Sequence, residues 1–139
     1  MATVDMSVTL KASAQKVWEL IGGFGSLAQW HPAVAKSKET KEAGATHRRL
    51  SLQGGGVIVE RLERHDDRAR PYSYIIVSGP LQVAGYRSEL SVGEEGPQRC
   101  TVRWTSTFEP KRSPEAQAGG AISGVYQAGF DSLKGKFGG

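Results

Sequence analysis

Residues 17–32, VWELIGGFGSLAQWHP, and residues 42–63, EAGATHRRLSLQGGGVIVERLE, decide how this chain folds. In the first stretch Val17, Trp18, Leu20 and Ile21 predict a short amphipathic helix, and Phe24, Leu27 and Trp30 recur at helical spacing. Gly22-Gly23 separates the two helices. Pro32 disfavours helical geometry at His31, so the second helix stops there. The second stretch predicts a β-hairpin around Gly54-Gly55-Gly56. Strand parity places Arg48, Leu50 and Leu52 on one face of its first arm and Ile58, Glu60 and Leu62 on one face of its second. With the turn centred near Gly55, Leu50 is expected opposite Glu60, with Arg48 diagonal to it. An arginine and a glutamate inside an apolar shell are costly unless they are paired or used. That pair points to a ligand cavity.

Outward from this core, Val4, Met6, Val8 and Leu10 alternate with polar residues and predict a half-buried strand over 3–10. Ser13 is a suitable cap for the first helix. A weak strand is expected from Val34 to Thr40, and stronger ones at Thr46–Leu52, Val57–Arg64, Tyr72–Ser78, Ala84–Val92 and Cys100–Phe108, with Glu94–Gln98 as a loop. Ser113 and Pro114 suit the start of a last helix, whose stripe includes Ile122, Val125, Tyr126, Phe130 and Leu133. Gly119, Gly120, Gly124 and Gly129 are unfavourable inside it, and are expected to delay its start or to permit close packing on the sheet.

The chain has 139 residues, which fits one domain over 1–139, and 38% are hydrophobic, enough for one core. No apolar run approaches the roughly 20 residues that span a bilayer, and the N-terminus does not read as a secretory signal. A single cysteine, Cys100, excludes an internal disulfide and suggests a reducing, cytoplasmic setting. The net charge of +4 is spread among acids, as in Glu60-Arg61 and Glu63-Arg64, so the reading is a mixed-charge surface with no nucleic-acid partner. Three scattered histidines and one cysteine make no metal constellation, and no cofactor is expected. His47 and His65 read as surface residues, and Cys100 as an inert small hydrophobe.

Trp30-His31-Pro32, the Gly55–Leu62 hairpin, Tyr72-Ser73-Tyr74, Tyr86-Arg87-Ser88, Trp104 and the C-terminal helix around Tyr126 and Leu133 stand in an order that resembles the SRPBCC superfamily, also called START-like or Bet v 1-like. The nearest resemblance is to its bacterial polyketide cyclase/dehydrase-like branch. It implies an α+β helix-grip: a curved seven-stranded antiparallel sheet around a long C-terminal helix, with two short helices after the first strand. It further implies a cavity for lipids, hormones or polyketides, and in some members catalysis. A plant enzyme of the superfamily has a catalytic arginine and glutamate, and its pattern resembles this chain at Arg48 and Glu60. The resemblance then implies that Arg48 binds an anionic or sulfoxide-like oxygen and that Glu60 moves a proton. The gate and latch motifs of the superfamily's plant hormone receptors are missing from Gln53–Gly56 and Ser78–Val83, so hormone reception is not expected.

By parity the cavity is expected to be lined by Leu50, Tyr74, Tyr86, Trp104, Phe108, Tyr126 and Phe130, with Trp30 and His31 near its mouth. His31 reads either as an acid/base group or as a loop anchor. Arg48 and Glu60 read either as a satisfied structural ion pair or as ligand-contacting, catalytic groups. The function expected is binding of a small hydrophobic, partly oxygenated molecule, with cyclisation, dehydration or isomerisation as the enzymatic form. A non-catalytic carrier or sensor, and a partner-binding protein with a vestigial cavity, are the alternatives.

Overall fold

A computed structural model describes residues 2–79, 83–110 and 115–139. Its elements are β1 (Ala2–Leu10), α1 (Ala14–Ile21), a 3-10 helix (Phe24–Gln29), β2 (Val34–Glu42), β3 (Ala45–Leu52), β4 (Val57–His65), β5 (Pro71–Ser78), β6 (Val83–Gly96), β7 (Arg99–Pro110) and α2 (Glu115–Phe137). The strands form one seven-stranded antiparallel sheet in the order β1-β7-β6-β5-β4-β3-β2. The curved sheet, the short helix after β1 and the C-terminal helix make a helix-grip, with α2 packed on β1 and β7.

Alternation sets the inner face. In β1 Ala2, Val4, Val8 and Leu10 are buried, and Val102, Trp104, Ser106 and Phe108 are buried along β7. Ser13 Oγ accepts from Lys16 N and caps α1. At the other end Gly22 is required by space: a Cβ there would lie 2.3 Å from the Trp18 indole. That indole is held by its Nε1, which donates to Asp67 Oδ1 at 3.0 Å.

Several expectations need correction. The second short helix is 3-10, because Phe24, Leu27 and Trp30 repeat every three residues, the period at which 3-10 side chains eclipse. The β3–β4 register is two residues from that expected, which keeps the same faces inward: Arg48 lies directly opposite Glu60, and Leu50 opposite Ile58. The loop is Gln53–Gly55, closed by Leu52 N donating to Gly56 O at 3.1 Å, so the hairpin centres on Gly54. Gly55 and Gly56 have φ of +93° and +96°, which glycine adopts without a steric penalty. Residues 94–96 belong to β6, where Glu94 pairs with Cys100 and Gly96 with Arg99. His47 is buried rather than a surface residue, flanked on the outer face by its cross-strand neighbours Thr40 and Arg61. Helix α2 runs straight through Gly119 and Gly120. Ser113 and Pro114, expected at its start, lie outside the described residues.

Candidate functional site

The site begins with Arg48, whose side chain is fully buried. Its Nε donates to Glu60 Oε1 at 2.6 Å, and its Nη1 donates to Phe24 O at 3.0 Å and to Tyr72 Oη at 3.2 Å. The guanidinium lies 4.2 Å from the Phe24 ring centroid and 4.6 Å from that of Tyr74. The sequence brings these groups together through three neighbouring strands and the 3-10 helix, which Ser37 fastens to β2. Ser37 Oγ donates to Gly25 O at 2.7 Å and accepts from Ala28 N at 3.2 Å. A guanidinium has five N–H donors. The two on Nη2 have no hydrogen-bond partner among the described residues. Burial pushes the Glu60 carboxyl above its ordinary value of 4.5, and Arg48 offsets this only in part. An arginine at 2.6 Å that stays charged across the accessible pH range keeps Glu60 ionised at neutral pH.

Beside this pair is a cavity of about 330 Å³, bounded by β3, β4, β5, α2 and the Gln53–Gly55 loop. Its wall is overwhelmingly apolar, from Leu27, Leu50, Ile58, Ile76, Ile122 and Val125. The polar atoms at its edge form a directed network. Ser88 Oγ donates to the Thr105 carbonyl at 2.8 Å, so its 3.0 Å contact with Tyr126 Oη must be an acceptance. Tyr126 has then used its proton, and at 2.5 Å it accepts from Tyr86 Oη. Tyr74 differs. Its Oη accepts from Trp104 Nε1 at 3.1 Å, and no acceptor for its own proton lies within hydrogen-bond distance among the described residues. Burial pushes both Tyr74 and Tyr86 well above the ordinary phenol value, so both hydroxyls keep their protons.

His31 is a cavity-wall residue with both ring nitrogens engaged. Ala33 N donates to Nδ1 at 3.1 Å, so Nε2 carries the proton and donates to Val125 O at 2.7 Å. The ring therefore ties the post-helical loop to α2 as a neutral anchor. Burial, chiefly, lowers its pKa from 6.5. The folded state then binds fewer protons than the unfolded chain. Its stability contribution is complete above pH 6.5 and is lost as pH falls through the lower folded value. Urea unfolding across this window is expected to show a fall in stability toward acid that His31→Gln flattens; an unchanged slope would count against the anchor.

Of the residues expected at the site, Arg48, Glu60, His31, Leu50, Tyr74, Tyr86, Trp104 and Tyr126 lie in the cavity wall. Trp30, Phe108 and Phe130 are buried in the core but do not reach that wall. They support it from behind: Trp104 stacks on Tyr126 at 4.2 Å and meets Trp30 at 5.7 Å and Phe130 at 6.3 Å. Phe24 and Tyr72, which enclose Arg48, were not foreseen there, although Tyr72 shares the strand face of Tyr74. Cys100 is buried, and burial raises its thiol pKa, as for an inert side chain. No group of His, Cys, Asp or Glu among the described residues is arranged to hold a metal ion, and no described helix is long and apolar enough to cross a membrane.

The family model described as polyketide cyclase / dehydrase and lipid transport matches residues 1–138. The chain belongs to that family. Among solved structures it is similar to the protein XoxI from Bacillus cereus, at 36% identity, covering 99% of this chain and 96% of that one with a TM-score of 0.94. An uncharacterised protein from Bacillus thuringiensis matches at 35% identity, covering 98% of each chain with a TM-score of 0.92. The Zhui aromatase/cyclase from Streptomyces sp. R1128 shares the fold, with a TM-score of 0.78 at 19% identity over 97% of this chain and 92% of that one. No curated protein matches the sequence.

Proposed function

We propose that this member of the family binds a small hydrophobic, partly oxygenated molecule in the cavity beneath α2, and that Glu60 serves as its proton-transfer group. The observation that carries this reading is an apolar cavity of about 330 Å³ whose wall includes the buried Arg48–Glu60 pair, 2.6 Å apart. The neighbouring polar groups narrow the roles. His31 and Tyr86 have committed their protons to fixed partners, which leaves Glu60 as the group able to accept one from a ligand. Arg48 holds the carboxylate in place, and the uncommitted Tyr74 proton would stabilise charge developing on a ligand oxygen. Cyclisation, dehydration and isomerisation are the reaction types these groups serve.

The test starts from protein purified under native conditions, extracted with organic solvent and analysed by mass spectrometry. The recovered compound is added back at about 100 times its dissociation constant and should stabilise the fold by about 2.7 kcal/mol. Glu60→Gln should retain binding and abolish conversion. A compound recovered chemically unchanged after long incubation would instead favour a carrier. That second reading has support in Arg48, which already satisfies Glu60, Phe24 and Tyr72 without any ligand.

A further inference from the structure

The two charges at the cavity are not presented equally. The Glu60 side chain keeps 6% of its surface exposed, whereas that of Arg48 keeps 0%. The guanidinium is closed off by the rings of Phe24 and Tyr74. A molecule entering the cavity therefore meets the carboxylate first, and Arg48 behind it is already neutralised. A ligand carboxylate would bring a second negative charge against Glu60 in an apolar enclosure, with no cation other than the paired Arg48 among the described lining residues to balance it.

The directions of the hydrogen bonds specify the head group further. Glu60 meets Arg48 through Oε1, and an ionised carboxylate offers only acceptors. Tyr74, on the strand paired with β4, has a proton with no acceptor among the described residues. Glu60's charge is close enough to act on the Tyr74 phenol. A hydroxyl group donates one hydrogen bond and accepts others, so it satisfies both at once. A ketone has nothing to give Glu60, and a hydrocarbon satisfies neither.

We propose that the cavity selects neutral, hydroxyl-bearing hydrophobic molecules, gripped between Glu60 and Tyr74, and rejects the corresponding carboxylates. This rests on the reading of the cavity as a ligand site. Here the pair sets charge selectivity, and the cationic member is screened from the ligand.

The experiment uses the full chain at neutral pH with N-phenylnaphthylamine, a neutral dye that brightens in apolar sites. Naphthylmethanol, ethylnaphthalene and naphthoate, which share one ring system, compete with it in turn, and calorimetry checks each directly. Naphthylmethanol is expected to bind at least about a hundredfold more tightly than naphthoate, as for an unbalanced buried charge. Tyr74→Phe should lower the ratio of alcohol to hydrocarbon affinity about tenfold. Glu60→Gln should raise naphthoate affinity at least about tenfold, because Arg48 then lacks a counter-charge. The wild-type comparison decides the matter if either variant fails to fold. Naphthoate binding within about threefold of the alcohol would overturn the selectivity while leaving the cavity as a ligand site. If no compound binds, the ligand-site reading falls, and the selectivity with it.

Discussion

Arg48→Met is expected to cost about 3–5 kcal/mol of unfolding free energy, a large share of a domain's usual stability. The loss comes mainly from what stays behind. Glu60 would remain buried without its cation, and Phe24 O and Tyr72 Oη would lose their donor. The double variant Arg48→Met/Glu60→Leu removes both charges and should recover much of the loss, because a buried pair is often replaceable by apolar side chains. The pH dependence of the single variant follows from the same argument. Without Arg48, only burial acts strongly on Glu60, and its folded pKa rises further above 4.5. The folded state then binds more protons than the unfolded chain. Stability is greatest below pH 4.5 and falls as pH rises through the folded value. Urea unfolding at several pH values checks both statements. A double variant no more stable than Arg48→Met would show that the guanidinium matters for packing rather than for charge.

Gly129→Val is expected to destabilise the fold by about 3 kcal/mol, although glycine is the poorer helix former. Gly129 is where α2 meets the aromatic wall. A Cβ there would lie 2.9 Å from Trp30, 3.0 Å from His31 and 3.2 Å from Trp104. These are rigid rings, so the helix must move away and the Trp104–Tyr126 stack must open. The same helix supplies the control. Gly124 is exposed, with nothing within 4 Å of its would-be Cβ. Gly124→Ala should therefore stabilise by up to about 1 kcal/mol through helix propensity alone. Thermal and urea unfolding of the two variants should move in opposite directions. Stabilisation by Gly129→Val would mean that α2 does not depend on close approach.

Much of this site could be read from alternation. The parity of β3, β4, β5 and β7 put Arg48, Glu60, Tyr74 and Trp104 on the inner face, because side-chain period in a strand is a local property. Alternation was less informative about depth. Phe108 and Phe130 share faces with cavity residues yet pack behind the wall, since parity fixes the side a residue faces and not its distance from the helix. The hairpin register moved by two residues because the loop length depends on which glycine takes the closing turn. The encirclement of Arg48 was not legible either. Phe24 and Tyr72 each lie 24 positions from it in sequence, and only the packing of the 3-10 helix over the sheet brings them within reach.

The sequence alone determined the order of the strands and helices, the inward faces of the strands and the presence of two opposite charges inside an apolar shell. These follow from periodicity and from the cost of burying charge, which act over a few neighbouring residues. The tertiary structure decided which donors and acceptors are spent. It committed His31 to Val125 and Tyr86 to Tyr126, gave the Tyr74 proton no acceptor among the described residues, and set Glu60 in front of Arg48. Hydrogen bonds of this kind join groups far apart in the chain and depend on sub-ångström placement. No local pattern encodes them, and they set the chemistry of the cavity.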